Sequence, residues 1–325
     1  MALHMRSTIA RTDIAAVRVL KAGKVFLLVG PAGDRVVIKQ DSGVSRSHYK
    51  SVRHAVKAVD PSARMKILKP AELSALAIFA IDMERLAEYH GEDEVAAARG
   101  LREAVRGAAR NPIVKMHAQK VLSIEDAIVD LGRGNRGGIR AFARALRGKG
   151  LTQFGEIIAV DLFNQNSDRF SPVARPMNRE LGGFTFRLQV CVNVGNVLAI
   201  AESGGFRMSA LDAADPSAYG HQDISASLAH SERADDWFGR VLVNPVKRLE
   251  YAGKIVDDLE AMLHPKRTAL RIRRLGSKKR AMHRLDTGIV MGGRKILAHL
   301  TNKTHGGRNA MPGMRDRLKL LQQLG

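Results

Sequence analysis

Near the amino terminus, β-branched and apolar residues cluster in three short blocks, Ala16-Val17-Arg18-Val19-Leu20, Val25-Phe26-Leu27-Leu28-Val29 and Arg35-Val36-Val37-Ile38-Lys39. Lys21-Ala22-Gly23-Lys24 and Gly30-Pro31-Ala32-Gly33-Asp34 separate them. Gly and Pro between such runs signal hairpins, so the pattern predicts an antiparallel meander. Ser45 to Val59 has helical polarity, Met65 to Leu68 reads as a further strand, and Pro70 to Arg110 is rich in Ala, Leu, Glu and Arg at helical spacing. A Gly and Arg cluster from Gly132 to Gly138 marks a loop before a helical run, Ile139 to Arg147. Leu151, Phe154, Ile158 and Leu162 then fall at steps of three and four, the stripe of a core-facing helix that should end near Asn164. Beyond Pro172 and Pro176 the chain returns to strands, predicted over Phe184 to Val194, Asn196 to Ile200 and Phe206 to Leu211, with Ser203-Gly204-Gly205 as a turn. From Asp223 onward Leu228, Trp237, Val241, Leu249, Ile255 and Leu259 predict more helix. The fold class expected is α+β.

Composition narrows the function classes. At 325 residues the chain is long enough for two cores. No window approaches the ~20 apolar residues that span a bilayer, so a soluble protein is expected. The single cysteine, Cys191, lies in an apolar run; it can form no internal disulfide, and a buried structural role is expected. The formal charge of +21 calls for an anionic partner, and it is unevenly spread. From His264 to Gly325 sixteen Lys or Arg face two acids, Asp286 and Asp316.

The order of elements is a β-meander ending in a lysine, then helices, a polar loop with Asp, a β-hairpin and an acid after its second strand. Phosphoryl transfer asks little of a protein beyond positioning and charge neutralisation. A lysine must meet phosphates, an aspartate must orient the attacking hydroxyl, and oxygen ligands must hold Mg²⁺. Lys39 ends the strand Val36-Val37-Ile38-Lys39, Asp168 sits in Asn166-Ser167-Asp168-Arg169, and Asn196 and Asp212 flank the later hairpin. Each has a plainer reading: an exposed strand-end lysine, a solvated turn or a strand-entry asparagine.

The helix from Glu156 running into Asn166-Ser167-Asp168-Arg169 resembles the catalytic loop of the atypical kinases, a group that includes phosphatidylinositol kinases, HipA-type toxin kinases and secretory-pathway casein kinases. The resemblance implies a bilobal kinase-like fold, a small β-meander lobe followed by a mostly helical one. It implies Asp168 as the catalytic acid, Asn166 as a loop-ordering residue and Arg169 as a scaffold or phosphate contact. Lys39 would bind ATP, with Gly23 and Lys24 as a short phosphate cover in place of a Gly-x-Gly-x-x-Gly loop. Asn196 and Asp212 would hold Mg²⁺, with Asn193 and Asp215 as substitutes. Many relatives place the metal-binding Asn only a few residues after the Asp-Arg pair, so the segment between Asp168 and Asn196 departs from that pattern. Glu72 and Glu84 are candidate partners for Lys39. The expected divisions are a flexible 1–15, an amino-terminal lobe over 16–115, a carboxy-terminal lobe over 116–263, and a basic helical region over 264–325.

The function implied is ATP- and Mg-dependent phosphotransfer to protein hydroxyls. A phosphoinositide or inositol kinase, or a non-catalytic polyanion-binding protein, are the alternatives. Arg271-Ile272-Arg273-Arg274 and Lys278-Lys279-Arg280 suit an acidic protein, an inositol phosphate or an anionic lipid. No Phe, Tyr or Trp follows Tyr251, which disfavours nucleic-acid readout by stacking. The Ala and Arg richness suggests a bacterial source, and by analogy with bacterial members of these kinase groups an effector or toxin acting in a host cell, though a protein of the bacterial cytoplasm fits equally.

Overall fold

The computed structural model describes residues 8–21, 25–40, 46–61, 63, 65–117, 121–164, 166, 168–211, 241–265, 274–301 and 314–324. The chain divides into two compact units, Met1–Arg53 with Ser62–Ala118, and His54–Pro61 with Gln119–Gly325. Both mix helices with small antiparallel sheets.

The first unit is built on a five-stranded antiparallel sheet of order β1-β2-β3-β5-β4. Its strands are β1 (Ala16–Lys21), β2 (Val25–Val29), β3 (Arg35–Gln40), β4 (Met65–Ile67) and β5 (Ile113–His117). The meander read from the sequence is present, and Gly33, at φ +80°, takes the left-handed conformation its turn needs. Strand β5 was not foreseen, because Ile113 to His117 carries Lys115 where a simple alternation would place an apolar residue. The strand's two middle neighbours, β3 and β4, provide the ladder that its own sequence does not announce.

Phe26, Leu28, Val36 and Ile38 point from one sheet face into a core filled by α2 (Pro70–Arg85) and α3 (Glu92–Arg106). Leu76, Phe79, Ala80 and Met83 come from α2, and Ala97, Ala98, Leu101 and Ala104 from α3. The many alanines on α3 let it approach closely; a Cβ at Gly100 would sit 3.3 Å from the Phe26 ring. Opposed residues in an antiparallel pair share a face, so Lys115, opposite Ile38, lies on this core side. Its ammonium donates to Glu72 Oε1 at 2.7 Å, and both side chains are fully buried. Glu72 also accepts from the backbone N–H of Lys69 (2.9 Å) and of Ile9 (3.2 Å), so one carboxylate caps α2, anchors the amino-terminal segment and neutralises a core lysine.

In the second unit α6 (Lys149–Asn164) is buried along almost its whole circumference. It follows α4 (Ile124–Gly132) and α5 (Gly137–Leu146) in the chain, while α1 (Arg46–Val59) is divided between the two units after Arg53. A three-stranded sheet of order β10-β9-β6 joins β6 (Val121–Ser123), β9 (Leu198–Glu202) and β10 (Gly205–Met208), and β7 (Met177–Leu181) pairs with β8 (Phe184–Leu188) as a separate hairpin. Helices α7 (Pro245–Leu263), α8 (Lys278–Thr301) and α9 (Met314–Gln322) follow. The long basic helix α8 packs along α6 through small residues: a Cβ on Gly288 would lie 2.0 Å from the Thr152 carbonyl oxygen, and one on Gly292 2.7 Å from the Ala159 Cβ. Backbones this close leave no room for larger side chains at Gly288 and Gly292, and Lys295 of α8 donates to Glu156 of α6 at 2.6 Å beside them. Among the described residues no helix is long and apolar enough to cross a membrane.

The strand expected over Phe184 to Val194 ends early, at Leu188. The carboxylate of Asp258 on α7 takes the N–H groups of Gln189 (2.7 Å), Val190 (2.8 Å) and Cys191 (2.8 Å), so those donors are withdrawn from any ladder. β7, in the segment between Asp168 and Asn196, pairs with β8.

Candidate functional site

The loop after α6 is built around a buried ion pair. Arg169, 1% exposed, donates from one terminal nitrogen to Asp161 Oδ2 at 2.6 Å. Its Nε bonds the Asn196 carbonyl at 2.6 Å and its other terminal nitrogen the Leu211 carbonyl at 2.6 Å. One guanidinium therefore ties α6, the Asn196 turn and the end of the β10 segment together, which a lysine with a single nitrogen cannot reproduce. Burial pushes the Asp161 carboxyl up, opposed by the Arg169 charge and by hydrogen bonds from Arg169 and Asn166. Asn166 donates to Asp161 Oδ1 at 3.2 Å and accepts the Asp168 N–H at 3.1 Å, so it shapes the turn that presents Asp168.

Asp168 meets two asparagines from the segment before β9. Asn193 Nδ2 donates to Oδ1 at 3.3 Å, and Asn196 Nδ2 donates to Oδ2 in a short contact. The 28-residue separation of Asp168 and Asn196 is bridged by backbone pairing: the Val192 N–H reaches the Arg169 carbonyl at 3.1 Å and the Ser171 N–H the Val190 carbonyl at 2.8 Å. Helix α7 clamps both sides of this bridge, Asp258 holding 189–191 and the Tyr251 hydroxyl donating to the Phe170 carbonyl at 2.9 Å. Burial, with Asp161 adding its charge, raises the Tyr251 phenol well above its ordinary value, so it stays a donor. Burial likewise pushes the Asp258 carboxyl up, against the pull of its three backbone hydrogen bonds.

Asn193 and Asn196 occupy a 3-10 turn and its cap, Val194–Asn196, rather than a strand entry; β9 begins only at Leu198. The Asn193 Oδ1 atom accepts the Gly195 N–H at 3.1 Å, whereas the amide of Asn196 is oriented by its donation to Asp168. Beside this turn the Glu125 carboxylate lies so near Gly195 that a Cβ there would be 2.5 Å from Oε2. Cys191 is buried next to the site; burial first, then the Asp258 charge, push its thiol far up, which makes it inert packing.

The candidate ligands Asp212 and Asp215 lie outside the described residues, as do Gly23 and Lys24. Leu211, the residue before Asp212, is the one whose carbonyl Arg169 holds and whose N–H bonds the Ser209 hydroxyl at 3.1 Å. Asp60 fixes the approach to it, accepting from Arg207 at 3.0 Å and from the Ala210 N–H at 3.3 Å.

Lys39 belongs to the first unit. It stands opposite Val25 and Val114, on the sheet face that also carries Val37, Met116 and Ile67 and that is turned away from the Lys115–Glu72 pair. Glu72 thus serves Lys115, and Glu84 pairs with Arg102 at 2.9 Å. Burial raises the Glu72 carboxyl, but the Lys115 hydrogen bond, the two backbone donors and the Lys115 charge together bring it below the ordinary value.

The residues that sequence reasoning missed are the supports: Asp161, Tyr251, Asp258 and Glu125. Asp258 did carry a signal, an acid beside Ile255, Leu259 and Met262 on the buried face of α7. The side-chain groups turned toward the Asp168 carboxylate are the amide N–H groups of Asn193 and Asn196. Among the described residues no three His, Cys, Asp or Glu form a metal cage. No family model, curated protein or solved structure matches the chain.

Proposed function

We propose that the chain is an ATP- and Mg²⁺-dependent phosphotransferase of bilobal kinase-like fold that acts on protein hydroxyls. The observation that carries the reading is the convergence of Asn193 and Asn196 on the carboxylate of Asp168, held by an arginine that also grips the residue preceding Asp212. In this reading Asp168 orients the acceptor hydroxyl and takes its proton. Asn196 offers its amide oxygen to Mg²⁺, with Asp212 as the anionic ligand, and the ion would neutralise phosphate charge. Arg169 and Asn166 are positioning residues. Lys39, flanked by the apolar side chains of Val25 and Val114, would meet the phosphates while that sheet face receives the adenine.

Nearly complete burial of Asp161 and Arg169 supports the reading, because ordering a loop with a buried ion pair is costly unless the geometry of the loop matters. The test is transfer of labelled γ-phosphate from Mg·ATP to protein, with the chain itself and cell extracts as acceptors. Asp168→Asn, similar in size, should lower turnover by about 10²- to 10⁴-fold, the range for loss of a general base. Equal transfer by both proteins would end this reading. Intact-mass measurement of the acceptor separates phosphoryl from nucleotidyl addition.

A further inference from the structure

A second feature of the larger unit lies apart from Asp168. The Asn196 turn, which meets Asp168, touches the start of α4, where the Ile124 N–H bonds the Val197 carbonyl at 3.0 Å. At the other end of that helix a cavity of about 200 Å³ is lined by Leu131, Arg136, Arg140, Leu263, His264 and Arg274, with Pro265 at its edge. In liquid volume that equals about six waters, enough for a phosphate group and a small organic body.

The charges here are of one sign. Arg136 is the N-cap residue of α5 and Arg140 lies on its first turns, where the helix carries no acid. Cations at a helix amino terminus oppose the partial positive charge of the unpaired N–H groups, so this placement costs stability unless an anion is bound. Arg274 is brought in from 127 residues further along: Arg147 Nε bonds its carbonyl at 3.1 Å, and Glu260 takes its N–H at 3.1 Å and that of Leu275 at 2.8 Å. The Glu260 carboxylate that accepts those backbone donors also lies 3.8 Å from His264 Nε2. Burial, then Arg140 and Arg147, and more weakly Arg136, lower the Arg274 pKa against the opposing pull of Glu260. Three arginines, Arg136, Arg140 and Arg274, therefore line one small space, with the backbone of Arg274 fixed by Arg147 and Glu260.

We propose that this cavity is a binding site for a small phosphate-bearing molecule, read by the guanidinium groups of Arg136, Arg140 and Arg274 over the apolar floor of Leu131 and Leu263. Arginine forks match phosphate oxygens two at a time, and the helix amino terminus adds N–H donors in the same direction. The inference does not depend on the phosphotransferase reading, since none of its residues touches Asp168.

The test is calorimetric titration of the full chain with inorganic pyrophosphate in the absence of divalent cations. Vesicles of phosphatidylcholine, with and without a monophosphorylated phosphoinositide, form a second arm. The wild type should bind in a salt-sensitive manner. Arg140→Gln and Arg274→Gln should each weaken binding roughly tenfold or more, as loss of a hydrogen bond to a charged group does. Arg187→Gln, an exposed arginine on β8, should leave it unchanged. Without ligand, Arg140→Gln should melt no lower than the wild type, because it relieves repulsion. Binding of pyrophosphate identifies a soluble ligand, and arginine-dependent binding confined to the phosphoinositide vesicles identifies a headgroup. No binding in either arm, or binding that both glutamine variants leave intact, would overturn the proposal.

Discussion

Replacing Arg169 by Met keeps most of the side-chain volume and removes every donor of the loop's central clamp. Three hydrogen bonds of 2.6 Å are lost at once, to Asp161, to the Asn196 carbonyl and to the Leu211 carbonyl. Stranding one member of a buried ion pair costs about 3–5 kcal/mol. Each carbonyl that loses its partner adds about 1–3 kcal/mol if water cannot replace the donor. The Leu211 end is only partly buried and can take up water, so the lower end applies and the total is about 5 kcal/mol. That is a large fraction of the roughly 5–15 kcal/mol by which folded domains are stable, and for a unit of this size it lowers Tm by about 10–20 °C. Urea unfolding followed by far-UV circular dichroism measures it directly. The double variant Arg169→Met/Asp161→Leu should recover about 2–3 kcal/mol, since the carboxylate is no longer stranded. A loss below about 1 kcal/mol for Arg169→Met, or strict additivity in the double variant, would refute the account of this clamp.

Other consequences follow from the same geometry. Asn196→Ala should raise the Mg²⁺ concentration needed for half-maximal phosphotransfer, whereas Asn193→Ala, whose amide oxygen is already taken by the Gly195 N–H, should lower turnover with little change in Mg²⁺ dependence. Glu72→Ala should destabilise the first unit by about 3–5 kcal/mol in thermal or urea melts, and Glu72→Leu combined with Lys115→Met should restore most of it. Because the folded Glu72 carboxyl titrates below its ordinary 4.5, its stabilising contribution is present above that value and is lost as pH falls further; the acid limb of a stability profile should shift when Glu72 is Gln. Gly288→Leu should unseat α8 from α6, since even a Cβ there meets the Thr152 backbone, and limited proteolysis would read this as faster cleavage within the basic carboxy-terminal segment.

What could be read from the chain alone was whatever is encoded locally. The meander of β1 to β3 is written in β-branched runs and Gly turns, and α6 in its stripe of Leu151, Phe154, Ile158 and Leu162. The turn bearing Asn166, Asp168 and Arg169 follows that helix directly, so its place could be inferred as well. Strand β5 and the early end of β8 could not, because each depends on partners far along the chain; the β7–β8 hairpin is local, turned at Gly182-Gly183, and was missed for want of an alternating pattern in β7. Asp258 ends β8 from 67 to 69 residues away, and Lys115 is tolerable in a core strand only because Glu72 arrives 43 residues earlier in the sequence to meet it. The basic cavity is of the same kind, bringing Arg274 beside Arg136 and Arg140 and holding it there by a bond from Arg147, 127 residues away, a contact that periodicity does not register. Local propensity determines which segments become helix or strand; the desolvation of a charge determines which distant residue must come to meet it, and that is settled only when the chain has folded.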